Sequence, residues 1–513
     1  TKVLGKAIPP LLIDLNGHGT LEQIDLDAIR VGTLGGEVAG KVMANWKAPI
    51  NWQAELALKD IQPGLQWPEA EGNISGELKT SGELTEAGGW KVNLPTLDID
   101  GILREYPLNI EGQLTASDVE ADGNVRVNTD GLALSHGPNS LRAKGLLDKE
   151  WKMDVLVNFP DLAKSVPELE GSVLGDVHLK GAMLEPNVQL SLNVDNVNWN
   201  DEATVKNIVL KGEVSPLPHP KADVTLSVAQ ASYQDNRIDS VELKVVGGEK
   251  EHRLTLDVLS DIVSTSLAIS GSLTQSPSMV WDGKLERVKV TSEQGPWQLQ
   301  APAAVKVDVD KQTANVQAHC WLQADSSVCL TEDILAGKSG EANVAISQFN
   351  FDQVKQYIPE ATQLQGSVDA KAYAKWQEDG PPEVKLEVSL PKGKVVQKLE
   401  SPLQLGWESV LLNAHVSNNQ LKADWLIDVT ENGDLSGQVT LPDLLAEDKE
   451  LDAKVSLTTF NLDFLKPIVG DYSLLEALLE TDLEVKGPMK HPQVFGQFTI
   501  DKMKLKGDVT PID

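Results

Sequence analysis

The chain has 513 residues, 41% apolar and 5% aromatic, and its 45 basic against 76 acidic side chains leave a formal net charge of −31. That charge repels phosphate backbones and anionic bilayer surfaces, so nucleic-acid binding is excluded as a function class. The ordinary apolar fraction and regular alternation exclude disorder, and no run approaches the roughly 18 consecutive apolar residues of a membrane helix.

The text opens at Thr1 in strand-like sequence and stops at Asp513 in the same style, with no basic segment leading into an apolar one. The chain is therefore expected to be a portion of something longer, with neither signal peptide nor anchor within the portion itself. From there about thirty segments alternate apolar with polar residues, the mark of half-buried strands. A first repeat starts at Pro68 (PEAEGNISGELKTSG), and strands of the kind LPTLDIDGILREYPLNIEGQL follow at 94–114. PDLAKSV at 160–166 reads as a short helix, since Pro followed by Asp suits a first turn. The repeat returns at Pro167 (PELEGSVLGDVHLKG), 99 residues after the first, and its strand carries Val177 and Leu179 on one face.

Val188, Leu190, Leu192 and Val194 continue that parity until Asp195 and Asn196 break it ahead of Val197 and Trp199, as a bulge would. Val224, Leu226 and Val228, then Leu254, Leu256 and Val258, then Leu267 and Ile269 occupy alternate positions in the next strands. The two cysteines, Cys320 and Cys329, would stand opposite one another if a hairpin turned at Ala324 and Asp325. Such a disulfide persists only in an oxidising compartment, and two buried free thiols are the alternative. FDQVKQYI at 351–358 is a second helix-like insert, and a third repeat copy runs from Leu364 after Pro359 and Glu360. Val384, Leu386 and Val388 alternate next; PDLLAEDKE at 442–450 and LDFLKPIV at 462–469 are further helix-like inserts flanking a strand with Val455 and Leu457. A partial fourth copy, 482–505, matches 176–199 at Lys486, Gly487, Met489, Pro492 and Val494, and repeats the parity break after Phe498 and Ile500 at Asp501 and Lys502.

A fixed period identifies an array, here of modules of about 100 residues. Approximate boundaries are 1–67, 68–166, 167–266, 267–358, 359–470 and 471–513. Alternating strands ordinarily form closed sandwiches, and a closed β-domain array for adhesion or structure is one reading. The absence of long linkers favours another: an all-β chain forming a long continuous curled β-sheet, a β-taco with short rim helices and a hydrophobic groove lined by the apolar residues named above. Fluid acyl chains suit a groove of Val, Leu, Ile and Ala.

The L-x-(Val/Leu)-K-G-x-M-x-x-P-x-V text at 179–188 and 485–494, with strands like 94–114, resembles the TamB family of AsmA-like proteins. The resemblance implies a periplasmic bridge for phospholipids between the inner and outer membranes of a Gram-negative envelope, within a longer protein anchored in the inner membrane. It also implies docking, through regions outside this chain, onto a TamA-like outer-membrane β-barrel protein, and a role in assembling outer-membrane proteins such as autotransporters. The alternative within this family is a chaperone scaffold that holds unfolded outer-membrane protein clients, in the groove or by strand addition.

No enzyme is expected, and no metal or cofactor. The eight histidines form no H-E-x-x-H and no G-x-S-x-G elbow occurs. AGKSG at 336–340 would need Gly where Glu332 stands to be a Walker loop. Asp98 with Asp100 and Asp308 with Asp310 read as solvated strand faces rather than calcium ligands, and His178 as a residue facing water.

Overall fold

The computed structural model describes residues 2–3, 6–7, 9–399, 402–465 and 472–507. It is 73% strand and 4% helical, and the sheet is open, not closed into a barrel. That agrees with the all-β class and open sheet expected from the alternation.

The chain divides into two units, Thr1–Ser264 and Thr265–Asp513. In the first, sixteen strands run from Leu12–Gly19 to His252–Ser260, each antiparallel to the next. The second unit keeps the same up-and-down order, but several of its strands are broken into two pieces that share a neighbour. Val280–Ser292 pairs with both Gly295–Leu299 and Ala303–Asp308, and Leu403–Ser417 with both Gly380–Leu390 and Gly393–Gln397.

Among the described residues no second layer covers the sheet of either unit. Among the described residues eleven apolar side chains are buried, and five of those are alanines. The accessible surface is 31280 Å², whereas two compact bodies of half this mass would together expose about 22,000 Å². Lateral backbone pairing and cross-strand side-chain contacts, rather than a sandwiched core, therefore hold each unit together.

Short 3-10 helices cap one rim at regular intervals. In the first unit six strands separate Pro63–Leu65 from Leu162–Lys164, and six more lead to the bend at 261–263; in the second, six strands, counting broken ones once, separate Phe351–Tyr357 from Leu462–Leu465. Asp60, Gln348 and Thr459 each precede a helix by three residues, have φ of 55°, 50° and 49°, and sit in register breaks. Each is a bulge that turns the strand end over the rim, where the chain can close a helical turn. The bulge amides of Asp60 and Gln348 are received by Ser75 Oγ at 3.0 Å and Asp369 Oδ1 at 2.8 Å on the strand after the helix. Asn350 then caps Phe351–Tyr357 by accepting from the Asp352 amide.

The inserts at 160–166 and 351–358 thus contain helices, and 462–469 contains one at Leu462–Leu465, its remainder lying outside the described residues. PDLLAEDKE at 442–450 does not form one. Its amides are diverted, Leu444 N to Asn419 O at 2.7 Å and Leu445 N to the Asp443 carboxylate at 2.9 Å, the latter a turn that competes with helix. The bulges expected after Asp195 and Asp501 are present at Asn196, against Leu169–Ala182, and at Lys502, with φ of 51° and 53°.

Glycines let neighbouring strands approach on the apolar side. A Cβ on Gly175 would lie 2.1 Å from Ser191 O and 2.7 Å from Leu192 Cδ2. Gly175→Ala is expected to destabilise the first unit by about 1 to 3 kcal/mol through overpacking, measured by urea denaturation; an unchanged midpoint would show that the strands part freely there. Cys320 and Cys329 are bonded (S–S 2.06 Å) directly across His319–Gln323 and Ser326–Leu330, around a turn whose Ala324 has φ 48°. Closing so short a loop contributes about 2 to 3 kcal/mol by the chain-entropy model, so Cys320→Ser with Cys329→Ser should lower the denaturation midpoint of the second unit, and reductant should have no further effect on the variant. Equal stability of oxidised and reduced protein would contradict this.

Candidate functional site

Residues directly opposite in an antiparallel ladder point to the same face, so the register traces each face across a sheet. In the first unit one line of partners crosses all sixteen strands: Leu15, Ile29, Gly40, Leu56, Leu78, Leu97, Gly112, Leu132, Ala143, Val155, Val177, Leu190, Gly212, Val224, Val245 and Leu254. Every member is apolar or glycine. Flanking lines run beside it: Leu192, Leu210, Leu226, Leu243 and Leu256 on one side, then Val194, Ile208, Val228, Val241 and Val258; Leu179 and Val188 pair on the other side.

The second unit has its own line: Leu299, Trp321, Val328, Ile346, Ala370, Val388, Leu412, Trp425, Gly437, Val455, Leu483 and Gly496. Leu386 and Val384 lie in parallel lines beside it, and Leu457 leads through Thr481 to Phe498, with Ile500 one step on. Leu267 and Ile269 are half-buried on Ser264–Thr274, alternating with the buried Ala268; Gly271, in the same parity, packs on Trp281.

The exposure of these side chains is informative. The named apolar side chains are half-buried except Leu15, 50% exposed on Leu12–Gly19, and Phe498 and Ile500, which are 71% and 44% exposed on Gln493–Gly507, a strand paired with Tyr472–Pro488. Neighbours along the strands and across the ladder cover their flanks, and their tips remain accessible.

The opposite face is polar. Behind the leucine line run Ser191, Lys211, Thr225, Lys244 and Thr255. His178 lies there between carboxylates, Asp154 toward Nδ1 and Asp176 at 3.0 Å from Nε2. Glu484 receives Lys486 at 2.8 Å and Lys454 at 2.9 Å, and these hydrogen bonds, Lys486 first, pull its carboxyl down to about 2. The carboxylate remains solvent-accessible, so the pairing fixes charge on the polar face more than it adds stability. Cys320 and Cys329 are on this face too, continuing through Ala345 to Lys371. Asp308 is held by Lys311 at 2.8 Å, which lowers its carboxyl below the usual range. Among the described residues no group of three or more His, Cys, Asp or Glu side chains is placed to hold a metal ion.

Sequence reasoning missed the apolar line through the first 160 residues, although the same alternation runs there, and it missed the tryptophans. Trp52, Trp376 and Trp425 pair across the ladder with Gly82, Gly340 and Gly437, whose missing side chains leave room for the indole to lie over the next strand. Trp151 Nε1 donates to Met183 O at 3.1 Å and Trp376 Nε1 to Gly337 O at 3.0 Å, tying each indole's polar edge to a neighbouring turn. An apolar, half-open face with a charged back can hold flexible hydrocarbon along its length.

Comparison with known proteins agrees with this architecture. A family model described as TamB, N-terminal domain, matches residues 1–500. The translocation and assembly module subunit TamB of Haemophilus influenzae is 25% identical over 508 residues, covering 99% of this chain and 38% of that protein. The chain thus spans well under half the length of that curated relative. No solved structure matches. With the model matching nearly the whole chain, the chain belongs to the TamB N-terminal domain family.

Proposed function

We propose that this chain is a section of a periplasmic conduit in which phospholipid acyl chains lie against the apolar face while headgroups trail in solvent. The observation that carries the reading is the unbroken line of sixteen apolar or glycine positions in the first unit, half-exposed and without a covering layer. Each methylene laid on such a face gains up to about 0.8 kcal/mol, a gain repeated at each strand, so a chain can slide without leaving a deep well. The lack of specific polar partners along the line suits passage rather than capture.

In the whole protein, an inner-membrane anchor and a TamA-like outer-membrane barrel would place this section between two membranes, where lipid transfer and the assembly of outer-membrane proteins support one another. The printed name of the Haemophilus relative, a subunit of a translocation and assembly module, supports that setting. The chemistry is passive: no catalytic residue is required, and the driving force is supplied elsewhere.

The test places a photo-crosslinking amino acid at Leu192, on the apolar face, or at Ser191, on the polar one, in the full-length protein in cells. Phospholipid adducts are expected at 192 and not at 191. Unfolded barrel polypeptide at 192 would favour a client-holding scaffold, and intramolecular adducts alone at both sites would contradict the open face. Leu192→Asp together with Leu256→Asp should cut lipid flux between the membranes by roughly ten-fold or more, since each buried charge must be desolvated against hydrocarbon. Undiminished flux in a stably expressed variant would refute the conduit.

A further inference from the structure

A polar recess of about 700 Å³ opens on the rim of the second unit, between the turn at Ala324 and Asp325 and the helix Phe351–Tyr357. Gln323 forms its floor and is only 6% exposed. Its Nε2 donates to Gln294 O, which fixes the amide orientation and leaves Oε1 buried without a partner. Gln353 repeats the arrangement: its Nε2 donates to Ser326 Oγ at 2.9 Å, and its Oε1 is likewise buried and unpartnered. The single donor of Ser326 Oγ is spent on Gln348 O at 2.7 Å, so it cannot satisfy either amide oxygen. The carboxylates of Asp325, Asp352 and Asp369 line the same recess, and no Lys, Arg or His does.

The equivalent place in the first unit shows that the orphaned acceptors are not forced by the fold. There the hairpin His136–Asn139 meets the helix Leu162–Lys164 after one intervening strand, the same order of elements. His136 Nε2 lies 2.7 Å from Leu103 O and Nδ1 3.0 Å from Ser165 Oγ, while Asn139 Oδ1 accepts from Asp161 N at 3.1 Å. That rim closes on itself. In the second unit the corresponding side chains present acceptors only.

Two buried amide oxygens among three carboxylates call for a cation that also donates hydrogen bonds, because a buried acceptor left unmade costs more than a made bond returns. A metal ion fits poorly, as the carboxylates are not grouped for coordination. A quaternary ammonium brings charge without N–H donors. We propose that this recess binds a primary ammonium group, whose three N–H donors can reach Gln323 Oε1, Gln353 Oε1 and a carboxylate together. A phospholipid headgroup and a soluble amine both carry such a group; the assignment rests on the recess alone and stands whether or not the apolar face carries lipid.

The test titrates the full chain with ethanolamine and with choline by calorimetry at fixed ionic strength. Saturable one-to-one binding of ethanolamine is expected, with choline roughly ten-fold weaker or more. Asp325→Asn with Asp352→Asn, both exposed and so compatible with folding, should weaken ethanolamine by a similar factor, and Gln323→Leu should abolish the preference over choline. Equal binding of the two amines, unaltered binding by the double variant, or no saturable binding would overturn the proposal, since a chain of net charge −31 attracts any cation diffusely. Phosphatidylethanolamine in micelles, compared with phosphatidylcholine, then separates the sources: protection of the recess by the first lipid assigns a headgroup, and binding of free ethanolamine alone assigns a soluble amine.

Discussion

The structure depends on a sheet that buries only half of what its sequence offers. Each strand carries an apolar face, and in most antiparallel architectures a second sheet or a helical layer covers it. Here none of the described residues does. Stability must then come from the ladder: in the first unit every strand between Gln23–Thr33 and Asn236–Gly248 is hydrogen-bonded on both sides through long registers, and side chains cover one another's flanks within the face. A net charge of −31, concentrated on the polar side, keeps such a surface soluble by self-repulsion.

From that constraint the remaining features follow. Because the face must stay accessible while flanks are covered, strands have to approach closely, and glycines appear in the apolar lines wherever a Cβ would strike the next backbone. Gly175 and Gly40 are of this kind; at Gly40 the added atom would lie 2.0 Å from Glu55 O. Opposite Gly82, Gly340 and Gly437 an indole fills the gap. The rims solve a separate problem, since a sheet with nothing stacked on it has turns exposed at both ends. The bulges at Asp60, Gln348 and Thr459 bend the strand over the rim and a helical turn covers it, with the bulge amide received by the next strand at two of the three.

Much of this was legible because an antiparallel meander is local. Each strand pairs with its sequence neighbour, so alternation alone places Val188 to Val194 and Leu254 to Val258 on one face, and a two-residue polar interruption at Asp195 and Asn196 betrays a bulge. The rim insert at 160–166 was readable because Pro160 is followed by Asp161, which suits a first turn. Composition misled at Pro442, where Asp443 spends its carboxylate on a local turn instead of a helix, and the three residues Pro63–Leu65 are too few to carry a helical pattern in the sequence. What could not be read lies across the ladder. The glycine contacts depend on how closely strands approach, and the recess around Gln323 depends on side chains from the strand end, the turn and the helix meeting at one rim.

The central claim is that the apolar face is open to hydrocarbon. Native mass spectrometry of the chain purified from cells without detergent tests it most directly. The account predicts several phospholipids bound per chain, with the number falling when Leu192, Leu226 and Leu256 are replaced by Asp. A folded chain that emerges lipid-free and takes up none from vesicles would contradict it.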